Sequence, residues 1–195
     1  MITHMKQSPE TPTASLRKAA IATAAVTAFA RKGYYATTVA DVAALSGFSA
    51  AYVFRLFSDK LGLFVAAIDL CYQRIGDALA DAASKAIDQS TEKVIGAMGA
   101  AYADLIADRD LLMVQVHAQS AADIPEIREA VRQGYASIIH LVRERSGADD
   151  TRIQLFVARG QLCHLIVTAG LNELDAPWAL ALTQGMRHPG REPGA

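Results

Sequence analysis

The chain has 195 residues, 52% of them hydrophobic and 20% charged, with 19 Lys/Arg against 20 Asp/Glu. That composition excludes a disordered, highly charged polymer and is long enough for one large domain or two small ones. The longest uncharged runs, 42–54 and 160–172, fall short of the roughly 18 apolar residues a membrane span needs, so no membrane is expected as a partner.

Two cysteines, Cys71 and Cys163, are too few for a disulfide framework, and neither belongs to a Cys-x-x-Cys pair. A reducing cytoplasm is the expected setting. Residues 1–74 hold eight Lys/Arg against four Asp/Glu, leaving eleven against sixteen in the remainder. A basic front joined to an acidic remainder is what a chain would show if its first third met a polyanion.

The start is polar, carries Pro9 and Pro12, and reads as a flexible arm over 1–14. From there every segment shows helical periodicity, and no stretch alternates as a half-buried strand would. The expected fold is all-α. Ile21, Ala25, Ala28 and Phe29 share a helix face, with Ser15 as cap and Gly33 as left-handed stop. Thr38 caps a short helix with Val39, Val42, Ala43 and Ser46 on one face, and Gly47 ends it. Ser49 caps a second short helix that is expected to turn Val53, Phe54 and Phe57 inward. Asp59 caps a longer one striped by Leu63, Phe64, Ile68, Cys71, Ile75 and Leu79, in which Gly62 costs about 1 kcal/mol of helix propensity.

Further helices are expected near 91–107, 110–121, 125–145, 150–172 and 177–186. The breaks fall at Asp108 to Asp110, at Pro125 as a first helical residue, at Ser146-Gly147 and at Pro177. The 150–172 helix is apolar on two faces, Ile153, Phe156, Val157, Gly160 and Val167 on one, Leu155, Leu162, Ile166 and Ala169 on the other. Such a helix must be covered twice. A partner subunit is one cover, with Ala158 and Gly160 permitting close approach; the core of a monomer is the other. The tail 187–195, with Pro189, Gly190, Pro193 and Gly194, is expected to be disordered.

Two short amphipathic helices joined at a glycine turn form a helix-turn-helix, whose second helix enters a major groove while the first crosses the backbone. The residues from Gly33 to Val39, Asp41-Val42-Ala43, Ser46-Gly47-Phe48-Ser49 and Val53 to Lys60 resemble the DNA-binding domain of the tetracycline-repressor (TetR) family of transcriptional regulators. The resemblance covers about residues 15–75 and its spacing has no gaps. It implies a three-helix DNA-binding domain over 15–75 and a helical ligand-binding and dimerisation domain over 76–186. The function it implies is a cytoplasmic, ligand-responsive repressor that binds a pseudo-palindromic operator in double-stranded DNA as a homodimer and is released by a small-molecule effector. Dimerisation is expected through the helices near 150–172 and 177–186.

Carried over residue by residue, the resemblance places Thr38 as the cap and Val39 as the phosphate-facing amide of the first helix, a terminus suited to anions. Ser49, Ala50, Ala51, Tyr52 and Arg55 match the exposed positions of the recognition helix. Arg55 is the expected base reader, since a guanidinium pairs bidentately with guanine; Tyr52 meets a phosphate or a thymine methyl, and Lys60 a backbone phosphate. The sequence departs from the family at Phe54, where a tyrosine is common, at Leu56, where His or Tyr is frequent, and at Ala51, where Gly is frequent. For the effector the candidates are Met98, Tyr102, Met113, His117, Phe156, Arg159 and His164, which mix apolar surface with a few polar groups.

No catalytic or metal motif competes with this reading. Gly47-Phe48-Ser49-Ala50-Ala51 nears a nucleophile elbow but lacks the strand that motif needs, and Cys163 and His164 are adjacent, so on a helix they diverge by about 100°. The five histidines are scattered, and no cofactor or metal is expected, nor an enzyme. A partner-binding module with a relic head, and an enzyme with an unrecognised site, are the alternatives from other classes.

Overall fold

The computed structural model describes residues 13–186 and is helical as expected; the expected arm before Thr13 and the expected tail 187–195 lie outside them. Helix α1, Ala14–Ala36, is capped by Thr13, whose hydroxyl accepts from the Leu16 amide, so Ser15 sits inside the first turn. Its buried face is Ile21, Ala25, Val26, Ala28, Phe29 and Ala30. Gly33 does not end the helix. With φ +71° and ψ 178° it kinks it, and a last turn continues to Ala36. The buried Thr37 hydroxyl closes the kink by donating to the Gly33 carbonyl at 2.7 Å.

Helices α2, Val39–Ser46, and α3, Ala50–Phe57, follow, separated by Gly47 in the left-handed region (φ 72°, ψ 14°). Ser49 caps α3 through the Tyr52 amide. Val53 and Phe57 turn inward as expected, but Phe54 does not: its ring is 48% exposed, because positions 53 and 57 fill the face that meets the body. Helix α4, Lys60–Lys85, is capped by Asp59 at 2.7 Å and buries the whole expected stripe. The expected division at 75/76 falls inside this continuous helix, and one apolar core runs past it from Phe29 and Phe64, 4.5 Å apart, to Met98, Ile127 and Val142.

The body is α5, Thr91–Leu105; α6, Arg109–Ser120; α7, Pro125–Ser146; α8, Asp150–Thr168; a 3-10 turn at Leu171–Glu173; and α9, Pro177–Thr183. The helix expected over 150–172 thus stops four residues early, where Gly170 turns left-handed (φ 65°). Helix α4 packs against α1, α5, α6 and α7, and α1 lies along α6. The two stripes of α8 divide differently from the expectation. Ile166 is fully buried, with Ile153 and Cys163, whereas Leu165 takes its place on the outer face, 50% exposed, below Leu155 at 57%. Gly160 faces inward against Tyr102, so it gives no close approach on the outside. The exposed Leu155 and Leu165 leave the outer face of α8 uncovered within the chain.

Gly62 has a structural reason. A Cβ at this position would stand 2.6 Å from the Phe57 carbonyl oxygen, a backbone atom, whereas one at Gly96 in α5 would meet nothing within 4 Å. Gly62→Ala is therefore expected to lower stability by about 1 to 3 kcal/mol despite better helix propensity, while Gly96→Ala raises it by up to about 1 kcal/mol. Urea unfolding of the two variants reads the opposite signs.

Candidate nucleic-acid interface and internal cavity

Helices α2 and α3 turn through 109°. The N-terminus of α2 is fixed by a capping box: the Asp41 amide donates to Thr38 Oγ1 at 3.2 Å and the Thr38 amide to Asp41 Oδ2 at 2.8 Å. Lys32 reaches the other carboxylate oxygen at 2.7 Å. Together these hold the Asp41 carboxyl well below its usual range, at about 2, the Lys32 hydrogen bond being the largest cause. Asp41 thus satisfies the cap while Lys32 neutralises it, leaving the positive end of α2 suited to an anion. Thr38 is exposed there, and the Val39 side chain is buried beneath it, so Val39 can offer only its backbone.

On α3 the exposed residues are Ala51, Phe54 and Arg55, preceded by its cap Ser49, with Ala50, Tyr52 and Leu56 half-buried. Tyr52 stacks on Phe48, ring centroids 5.3 Å apart, and the Arg55 guanidinium lies 4.6 Å from the centre of the Tyr52 ring. Arg17 from α1 draws the ionisation of the Tyr52 phenol downward, with a smaller contribution from Arg55. Lys60 donates to the Tyr35 carbonyl at 3.3 Å and lies over the Tyr34 ring at 4.6 Å. Arg55 and Lys60 thus rest on aromatic rings, and Lys18 from α1 stands 5.6 Å from the centre of the Phe57 ring. Arg17 and Lys18 reach α3 from α1, as the sequence reading did not foresee: they stand more than thirty residues from α3, and only the packing of α1 brings them there.

The body encloses a cavity of about 600 Å³ among α4, α5, α6, α7 and α8. Of the expected effector residues, Tyr102, Phe156 and Arg159 line it. Met98 is fully buried in the core, Met113 packs beside Ile106 and Leu112, and His117 lies against Gly33 at the kink of α1. His164 stands behind Tyr102. Its Nε2 is 2.5 Å from the Tyr102 hydroxyl, which is 3.2 Å from Gln115 Oε1. Gln115 in turn donates to the Leu111 carbonyl. With His164 protonated on Nε2, donation runs one way from His164 through Tyr102 to Gln115, leaving only the buried acceptor Nδ1 without a partner. The sequence reading missed Tyr72, Tyr135, Gln115 and Gln161. Gln161 donates to the Tyr135 hydroxyl at 2.5 Å, and the Tyr72 ring passes over Gly134, where any Cβ would strike it. Lone tyrosines and glutamines at helical spacing carry no signal of convergence.

The fold carries a helix-turn-helix at its head, and over that segment, residues 21–67, the chain matches the model of the bacterial regulatory proteins of the tetR family. No curated protein sequence matches the chain. Among solved structures, the fatty acid degradation regulator FadR from Bacillus halodurans is similar over 87% of this chain and 99% of its own, with 20% identity and a TM-score of 0.66. FadR from Bacillus subtilis, solved in complex with stearoyl-CoA, covers the same shares at 15% identity and 0.65. A TetR-like regulator from Rhodococcus sp. RHA1 is similar over 88% and 93% at 20% identity and 0.63. Among the described residues no single helix is long and apolar enough to cross a membrane.

Burial lowers the His164 imidazole to about 4, so it is neutral at pH 7. The unfolded chain protonates His164 near pH 6.5 and the folded chain only near 4, so the unfolded state binds the extra proton between them. The contribution of His164 to stability is complete above about pH 6.5 and falls by on the order of 3 kcal/mol as pH drops to 4. Unfolding free energies across that window are expected to lose this part of their slope in His164→Gln.

Proposed function

We propose that this protein is a ligand-responsive repressor that binds a pseudo-palindromic operator as a homodimer and is released when a small molecule fills the body cavity. The observation that carries the reading is the sharing of α4: its first turn supports the recognition helix, and Tyr72, Ile75 and Leu79 further along it wall the cavity. A ligand that prefers one placement of α4 lowers DNA affinity by its differential affinity for the two placements. The FadR structure from Bacillus subtilis, with stearoyl-CoA, supports an effector role for a cavity in this fold.

On the DNA side, the α2 N-terminus with Thr38 and Val39 meets a phosphate, and Ser49, Ala50, Ala51 and Tyr52 line the groove. Arg55 reads a guanine and Lys60 binds backbone. The dimer forms through the outer stripe Leu155, Ala158, Leu162, Leu165 and Ala169 of α8, at heptad-like spacing, together with Trp178, 57% exposed, and Leu180 of α9. Two-fold pairing sets half-sites one helical turn apart, about 34 to 36 Å. The protein works in the cytoplasm, where the DNA is.

Fluorescence anisotropy against the DNA flanking its own coding sequence, at two salt concentrations and with random DNA as control, tests the reading. Lys60→Ala is expected to weaken binding to every sequence and reduce the salt slope by about 1. Arg55→Ala is expected also to relax preference at one base pair by about 1 to 3 kcal/mol. Equal losses on operator and random DNA for both variants sink these assignments. Leu155→Glu with Leu165→Glu is expected to yield a folded monomer by analytical ultracentrifugation; an unchanged sedimentation coefficient refutes the α8 interface.

A further inference from the structure

Among the described residues that line the cavity the charged ones, Glu92, Arg152 and Arg159, are all exposed; the other side-chain oxygen and nitrogen atoms belong to neutral groups, those of Tyr72, Thr91, Tyr102, Gln115, Tyr135 and Gln161. Arg152 is already held by Asp149 at 2.5 Å. The inner groups are also committed to one another: Tyr102 to Gln115 and His164, and Tyr135 to Gln161 and Gln119. The Tyr72 hydroxyl is buried without a partner, whereas none of Tyr102, Gln115, Tyr135 and Gln161 can swing toward a ligand without leaving a partner unsatisfied. Burial pushes the Tyr72, Tyr102 and Tyr135 phenols up and His164 down, so each titratable group around the inner wall is driven toward its neutral form. A carboxylate, phosphate or ammonium brought here gives up its hydration for neutral dipoles, those of Tyr102, Gln115, Tyr135 and Gln161 already engaged and the Tyr72 hydroxyl not, at a cost of several kcal/mol.

Resting on the effector reading of this cavity, we propose that it selects an uncharged, largely apolar small molecule with one or two hydrogen-bonding groups, and excludes the same framework when it bears an ionised group. The apolar part lies along Ile75, Leu79, Ile95 and Phe156, and the polar part faces the Tyr135–Gln161 pair. The volume, about 600 Å³, suits a molecule of two or three rings.

The test uses two probes that share one framework: N-phenyl-1-naphthylamine, uncharged, and 8-anilino-1-naphthalenesulfonate, which adds a sulfonate. Each is titrated into the full-length protein by fluorescence, and into Gly99→Leu and Ala100→Leu. Both positions line the cavity, and a Cβ at Gly99 meets nothing closer than the Phe156 ring at 4.0 Å, so leucine there enters the space without touching backbone. Circular dichroism confirms that each variant keeps its helices. The expected result is that the uncharged probe binds at one per chain, at least ten-fold tighter than the sulfonate, and at least ten-fold weaker in either filled variant. If the sulfonate displaces the uncharged probe at equal or lower concentration, and both are lost in the filled variants, charge exclusion is overturned while the cavity remains an effector site. If the uncharged probe binds the wild type and both variants alike, it sits elsewhere and the proposal is overturned. Release of operator DNA, read separately by anisotropy, decides the effector reading on its own.

Discussion

The carbonyl of Phe57 and the α-carbon of Gly62 lie so close that no side chain fits between them, and this contact seats the recognition helix on α4. A helix of 26 residues is about 39 Å long and bends little, so whatever fixes its far end also fixes its near end. The far half passes Tyr72, Ile75 and Leu79 at the cavity wall. Head and body therefore share a rigid element rather than a linker, and the continuous core along it leaves no soft layer where one could move alone.

Helix α6 forms a second connection. It presents Gln115 to the cavity and, half a turn later, His117 to Gly33, where the imidazole stands 3.0 Å from the position a Cβ would take. Gly33 has a positive φ that L side chains rarely adopt, and the kink it makes places Tyr34 and Tyr35 beneath Lys60. Just beyond, the Tyr35 hydroxyl bonds Asp123 in the α6–α7 connection at 3.3 Å. Two routes, one along α4 and one through α6 and the kink, thus end at the same side of the head. Shifting one without the other would break the packing between α1 and α6.

Much of this was legible in the sequence. The caps Thr38, Ser49 and Asp59, the left-handed Gly47 and the inward stripe of α4 follow from local chemistry, because each involves residues within one or two turns. Gly33 was legible as a glycine of special conformation but not as a kink, since its reason is His117, more than eighty residues away. Phe54 was misplaced because Val53 and Phe57 already fill the inward face of a short helix; Ile166 was misplaced because on a helix apolar all round, periodicity cannot tell the face that meets the core from the face one position away. The cavity was least legible. Its wall is assembled from five helices, and the residues that make it polar are neutral ones whose meaning lies only in their convergence.

The head's chemistry follows from the same economy of polar groups. Phe54 presents an exposed ring without a hydroxyl where related heads commonly carry tyrosine, and Leu56 and Ala51 add no donor. What remains is cationic and ordered in advance. Arg55 rests on Tyr52, Tyr52 on Phe48 and Arg17, and Lys60 on Tyr34 and the Tyr35 carbonyl. A guanidinium already stacked on an aromatic face loses less rotamer freedom when it docks than a free one does. The exposed Phe54 ring adds apolar surface next to Arg55 and no donor. What α3 presents is thus few polar groups, held in advance by aromatic faces, rather than many free ones.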